Sequence, residues 1–354
     1  MPSLKALWKP LTSVDTLQRS SHGLAVVQNK AYIFGGELKP RTPVDSAVTA
    51  IDVSDGSIDT LSPSSTGSWP TSRVGHTFTP SSSDGANYLW GGRGGKDMSS
   101  FSGDTSIWRF NPETGAWEEV QTKGEQPEAR SFHTMTEADG KLYLHAGCPA
   151  SGRLATLHSL DLTSRTWSSL PSAPEPGRGG TILTALPSTA STSSRLLARF
   201  GGFAGYELGG FDVYDVDKRE WTALGDLQVE GGGEGPGKRS VHALIGLEGQ
   251  LEYEGKKVVA VMTLGERDAA PKELGHDGAG FFHDDAWALL STGTAHPTFS
   301  WLRLDSASSS KGHPEARGWF ASSFVAGNKI AIQGGLNSKN ERLSDGWTLE
   351  IVVE

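Results

Sequence analysis

An arginine that returns about every fifty residues is the feature that most constrains this chain. It stands in "LQRSSHG" at Arg19, "PTSRVGH" at Arg73, "PEARSFH" at Arg130, "PGRGG" at Arg178, "PGKRSVH" at Arg239 and "PEARGWF" at Arg317. The openings lie 54, 57, 48, 61 and 78 residues apart, so one unit recurs six times, with an insertion in the fifth. Some dozen or more residues after each arginine comes a short apolar segment closed by a glycine pair or its remnant: "AYIFGGE", "NYLWGGR", "LYLHAGC", "LARFGGF", "VVAVMTLGE" and "KIAIQGG". Glycine there suits a tight turn at a strand end, where φ is positive and backbones approach closely. Two more apolar segments follow in most units, the last ending in Trp, as in "IWRFNPETGAWEEV" and "FDVYDVDKREWTAL". Apolar and polar residues alternating around turn residues read as β-hairpins.

Four short strands at a period near fifty residues make the kelch blade of a β-propeller. The expected fold is therefore all-β, a six-bladed kelch-type β-propeller in one domain over residues 1–354, with blades opening near 19, 73, 130, 178, 239 and 317. The last unit tests this. From Arg317 to Glu354 it has 38 residues and stops after "DGWTLEIVVE", before a Trp-bearing fourth strand, whereas the 18 residues ahead of Arg19 hold one in "ALWKPL". Residues 1–18 are thus expected to complete the sixth blade and remove two exposed sheet edges. The Ser-rich stretches "PSSSDG", "LPSTASTSSR" and "SASSSKG" read as surface loops.

Several function classes find no support. A formal charge of −9, from 32 basic and 41 acidic side chains without a basic cluster, disfavours nucleic-acid binding. No apolar run approaches the roughly 20 residues of a membrane helix. The N-terminal "MPSLKALWKPLTSV" lacks the features of a secretory leader, so a cytoplasmic location is expected. The single cysteine, Cys148, forms no intrachain disulfide or cysteine-based zinc cage and reads as a small buried residue in a strand. "EGGGEGPG" lacks the strand-to-helix setting of a dinucleotide loop, and no Ser-His-Asp spacing is present.

One stretch is chemically crowded. "GERDAAPKELGHDGAG", residues 265–280, carries Glu266, Asp268, Glu273, His276 and Asp277 where a propeller needs only a turn. A solvated acidic loop is the bland reading. Together with "RSSHGLAVVQNKAYIFGGELKPRTPVD", "YLWGGR", "PEARSFHTM", "GRLATLHSLDL", "FGGFAGYELGGFDVYD", "KRSVHA" and "RGWFASS", this stretch resembles the specifier proteins of glucosinolate breakdown: the nitrile-specifier, epithiospecifier and thiocyanate-forming proteins. The similarity runs in order through all six blades.

That resemblance implies Fe(II) at the channel mouth, held by a Glu-x-x-x-Asp-x-x-x-His run and followed by Gly-x-Gly. Glu266 and His276 match the outer ligands, but Ala270 occupies the Asp spacing, and His276 lies ten residues from Glu266 rather than eight. Asp268 is the expected replacement, with Glu273 second. Carboxylate and imidazole ligands with open positions suit such an ion. By the same resemblance Arg93 and Arg153 engage the substrate's sulfate and thiolate, a task that fits a guanidinium fork; blade-closing salt bridges are the structural alternative. Arg41 supplements the basic lining, and Phe132 and Trp319 wall the pocket.

The recurring Arg19, Arg73, Arg130, Arg239 and Arg317, with His22, His76, His133 and His242, are expected to serve the fold by hydrogen-bonding inter-blade carbonyls. The function implied is Fe(II)-dependent conversion of a small anionic sulfur compound, the aglycone a thioglucosidase releases, to a nitrile. The thioglucosidase or another protein is the candidate partner. A rival of a different class is a non-enzymatic kelch scaffold gripping a partner protein. It expects the 265–280 loop to be exposed with its carboxylates splayed, where the specifier reading expects Glu266, His276 and one more carboxylate to converge facing Arg93 and Arg153.

Overall fold

The computed structural model describes residues 3–63, 67–101, 106–188, 195–271, 273, 278–292, 297–306 and 312–354. Six antiparallel sheets stand in a ring. Their inner strands are Gly23–Val27, Thr77–Pro80, Thr134–Ala138, Ile182–Ala185, Ala243–Gly246 and Ala321–Ala326. Each touches the inner strand of the next sheet, and the sixth touches the first, so the circle is closed. The sheets are the six expected blades.

Closure is achieved by the N-terminus. Strand Leu4–Ser13 pairs antiparallel with Asp345–Val353, from Leu4 opposite Val353 to Ser13 opposite Asp345, as the outer strand of the sixth blade. Its inward residues Leu4, Ala6 and Trp8 are buried with Ile330, Ile332, Leu349 and Ile351. Short parallel strands Lys123–Gly124, Gln228–Val229 and Asp305–Ser306 cap the outer edges of blades three, five and six, which leaves less unpaired backbone to recruit another chain. The outer-strand tryptophans lie within their strands rather than at the end, Trp117 and Trp167 near the start of Ala116–Gln121 and Thr166–Leu170, Trp301 in the middle of Phe299–Arg303. Of the Ser-rich loops, residues 189–194 and 307–311 lie outside the described residues.

Each repeated arginine locks its own blade's turn. Arg19, Arg73, Arg130, Arg178, Arg239 and Arg317 donate from Nη1 to the carbonyls of Gly35, Gly91, Ala146, Gly201, Leu264 and Gly334, at 2.9 to 3.2 Å. The expectation of inter-blade carbonyls is therefore corrected: the guanidinium stays within its blade. The arginine's main chain makes the link instead, because its carbonyl accepts from the second turn residue of the preceding blade, as in Gly36 to Arg73 (2.9 Å), Gly202 to Arg239 (2.8 Å) and Gly335 to Arg19 (2.9 Å).

A second ring closes the axis. The residues two after each arginine, Ser21, Gly75, Phe132, Gly180, Val241 and Trp319, all have left-handed φ between 45° and 62°. Each donates its amide to the carbonyl of its neighbour, and Ser21 donates to Trp319, completing a circle of six bonds of 2.7 to 3.1 Å.

The histidines contribute to the imperfect glycine pairs. A Cβ on Gly35, Gly91, Gly201 or Gly334 would meet the Cε1 of His76, His133, His242 or His22 of the next blade at 2.7 to 3.0 Å, and the carbonyl of that blade's arginine at 2.2 to 2.9 Å. Where the next blade carries Thr181 or Phe320 instead, the first glycine is Ala146 or Leu264, still left-handed at φ 63° and 58°. Burial holds the four histidines neutral, with pKa values below the usual imidazole range. Gly91→Ala is accordingly expected to destabilise the fold by about 1–3 kcal/mol through overpacking. In a double-mutant cycle by urea unfolding, adding His133→Thr should recover part of that loss. Strictly additive effects would contradict the packing explanation.

Candidate functional site

The six residues that follow the glycine turns are Glu37, Arg93, Cys148, Phe203, Glu266 and Leu336. Each forms a β-bridge with the residue after its blade's arginine: Ser20, Val74, Ser131, Gly179, Ser240 and Gly318 respectively. The propeller thus carries six equivalent positions around one mouth. All six line a single cavity of about 370 Å³, a volume suited to a small ligand. Ser21, Phe132, Gly180, Val241 and Trp319 of the amide ring form its floor and separate it from the central channel beneath.

Arg41, Arg93, Arg153, Phe132, Trp319 and Glu266 are brought together here. Arg93 opens the ribbon Arg93–Gly94/Ser99–Ser100; its guanidinium lies 4.8 Å from the centroid of Phe132, whose ring meets Trp319 edge-on at 5.3 Å. Arg153 lies 4.9 Å over Phe203. Stacked cations of this kind keep their N–H fork free for a ligand. Among the described residues neither Arg93 nor Arg153 pairs with a carboxylate within 4.0 Å, so the salt-bridge alternative is not what the structure displays. Arg41 sits on the first-blade ribbon, its amide donating to Glu37 Oε2 at 2.8 Å. Arg342, buried, is directed at Glu37 Oε1 at 3.5 Å.

Glu266 opens the fifth-blade ribbon, Glu266–Asp268 against Phe281–Phe282. Burial pushes its carboxyl up to about 7, and a hydrogen bond from the Gly280 amide works against that shift. Gly280 is required there, because a Cβ would collide with Glu266 Oε1 and the Asp268 carbonyl. Asp268 goes elsewhere. It is exposed, accepts from Arg267 Nε at 3.0 Å and is not part of the cavity wall, where Ala269 and Ala270 stand instead. The ribbon register bulges between Glu266 and Asp268, and the carboxylate expected as the middle ligand stands at the surface rather than on the cavity wall. Glu273 is exposed too, and His276 and Asp277 lie outside the described residues.

Two features escaped the sequence reading. Cys148 is not within a strand but half-buried on the cavity wall; burial raises its thiol pKa while Arg153 and Arg93 pull it down. Its place after the third glycine turn is a periodic signal. Glu207, in "FAGYELGG", has no such signal: it is 7% exposed, and neither carboxylate oxygen has a partner in hydrogen-bond geometry. Burial, then the charge of Glu266, pushes its carboxyl up to about 8, with the Ser240 hydroxyl opposing and Asp268 adding to the rise.

Among the described residues no three His, Cys, Asp or Glu side chains stand at ligand distances. Two neighbouring buried carboxylates, Glu207 and Glu266, nevertheless form a donor set that a divalent cation fits, since it neutralises both. Elsewhere the wall is cationic, with four arginines against Glu37 and Glu266. Such a cavity favours an anion.

The model of the KLHDC2/KLHL20/DRC7 kelch-repeats domain matches residues 21–253, and the chain belongs to this family of kelch propellers. Along nearly its whole length it is also similar to N-(sulfonatooxy)prop-2-enimidothioate sulfolyase of Thlaspi arvense: 27% identical over 352 residues, spanning 92% of this chain and 91% of that protein. That match bears out the specifier-protein resemblance. Rho GTPase-activating protein gacHH of Dictyostelium discoideum is 29% identical over 150 residues, 40% of this chain and 10% of its own length. The solved structure of YjhT shares the fold at TM-score 0.67 and 15% identity, covering 97% of this chain and 99% of that one.

The raised carboxyl pKa values carry a stability consequence. Between the ordinary 4.5 and about 8 the folded chain keeps a proton on Glu207 that the unfolded chain releases, so stability is full below about pH 4.5 and declines as pH rises towards 8. In chelator-treated protein, the melting temperature of wild type should fall more between pH 5 and pH 8 than that of Glu207→Gln. Parallel pH profiles would contradict the placement of Glu207.

Proposed function

We propose that this propeller is a specifier-type lyase acting on a thiohydroximate O-sulfate, the unstable aglycone of a glucosinolate, and directing it to a nitrile. The observation that carries the reading is the convergence of Arg41, Arg93 and Arg153 with Glu266 on one aromatic-floored cavity. A scaffold that gripped a partner by its outer loops would have no use for guanidinium groups turned inward on a small cavity. Similarity to a sulfolyase along the whole propeller supports the same reading.

The chemistry divides among the residues as follows. The substrate carries a thiolate and an N–O–sulfonate group on one carbon–nitrogen unit. When the N–O bond breaks, its electron pair leaves with sulfate, whose charge rises from one to two. The C–S pair becomes the third C–N bond, yielding a nitrile, and sulfur departs at the zero oxidation level. Arg93 and Arg153 would bind the sulfonate and gain strength as charge builds on the leaving oxygen, which is where electrostatic stabilisation lowers a barrier. Phe132 and Trp319 would pack the side chain of the aglycone and exclude water. Glu266, with His276 of the same loop, would hold Fe(II), which supplies an electrophilic partner for the thiolate sulfur.

The test is product analysis with a glucosinolate and a thioglucosidase under anaerobic Fe(II). Wild-type protein should raise the nitrile yield; Arg93→Ala should cut the rate by about 100-fold, and Arg93→Lys should restore only part of it because the planar fork is lost. Equal nitrile yield with and without protein would reject the activity.

A further inference from the structure

The strongest unassigned feature is the side chain of Glu207. Burying a carboxylate with no partner is expensive, and such groups are retained where something absent from the chain itself completes them. Glu207 is 7% exposed, and the Ser240 hydroxyl is the one group set against its carboxyl; among the described residues neither oxygen has a partner in strict hydrogen-bond geometry. Arg239 donates its amide to the carbonyl of Leu208 at 3.0 Å, and the next residue, Ser240, is bridged to Glu266. Glu207 thus lies beside the Ser240–Glu266 bridge, where the Ser240 hydroxyl and the charge of Glu266 act on its carboxyl, behind the cavity wall rather than on it. The Gly280 amide occupies part of the Glu266 carboxylate, while Ala270, at the spacing where the family carries a ligand, offers the cavity only a methyl group. Asp268 is turned to solvent against Arg267.

We propose that Glu207 is a ligand of the divalent cation held by Glu266, supplied across the blade boundary in place of the loop carboxylate that Ala270 lacks. The inference rests on the cation-binding part of the proposed function and not on the identity of the substrate. It gives the cation two carboxylates from adjacent blades, so that its charge is balanced within the protein and the side towards Arg93 and Arg153 is left for an anion.

The experiment is anaerobic equilibrium dialysis of the full chain against Fe(II), with Co(II) absorption as a spectroscopic readout, for wild type, Glu207→Gln, Glu207→Asp and Asp268→Asn. Wild type should bind a single Fe(II). Glu207→Gln should weaken binding by about tenfold or more and change the Co(II) ligand-field bands; Glu207→Asp, which keeps the charge, should lose less. Asp268→Asn should stay within about twofold, as expected of an exposed pair. Circular dichroism and melting curves report folding, and the Asp variant keeps the comparison valid if the Gln variant is unfolded. Binding by Glu207→Gln equal to wild type would overturn the ligand assignment while leaving the cation site standing. No Fe(II) bound by wild type would overturn both. Glu207-dependent binding together with an unaltered product spectrum would uphold the assignment and reject the lyase activity.

Discussion

Six peptide groups meet near the axis of this propeller, and their mutual hydrogen bonds are the constraint on which the rest depends. Between a cavity above and a channel below, a backbone amide or carbonyl without a partner would be costly. The circle from Ser21 through Gly75, Phe132, Gly180 and Val241 to Trp319 satisfies one donor and one acceptor of each. It demands a left-handed backbone at every position, which costs about 1 kcal/mol or more at the four that are not glycine. The closed circle offsets this because its bonds polarise one another and no end is left open. A ring also has no first or last member, which is why the N-terminal strand must return to the sixth blade.

From that ring the site follows geometrically. Each blade contributes an arginine that ties its glycine turn, a carbonyl that receives the preceding blade, and one side chain after the turn that faces the mouth. The fold specifies where those six side chains point and is indifferent to what they are. In this chain they are Glu37, Arg93, Cys148, Phe203, Glu266 and Leu336, with further arginines from the loops. Chemistry is written by the residue at each fixed position: Glu266 and its neighbour Glu207 fall where blades four and five adjoin, and Glu37 stands on the first blade against Arg342.

The sequence displayed the architecture well because the repeat is physical: the arginine, the turn and the next blade's histidine touch, so their spacing recurs from blade to blade. The replacement of glycine by Ala146 and Leu264 looked like decay and is instead matched to Thr181 and Phe320 on the neighbouring blade. Arg93 and Glu266 were legible because they stand directly after glycine turns. Asp268 stands two residues after Glu266 yet outside the cavity wall, because strand register as well as spacing decides which carboxylate faces the cavity. Glu207 was invisible for a related reason: it has no place in the repeat, and its meaning comes from a neighbour 59 residues away in sequence.

Hydrogen exchange of the six ring amides tests most directly whether the ring holds the site in register. Ser21, Gly75, Phe132, Gly180, Val241 and Trp319 should exchange together and only by global unfolding, and deletion of residues 4–13 should accelerate all six. Rapid or unequal exchange among them, in the intact chain, would contradict the account.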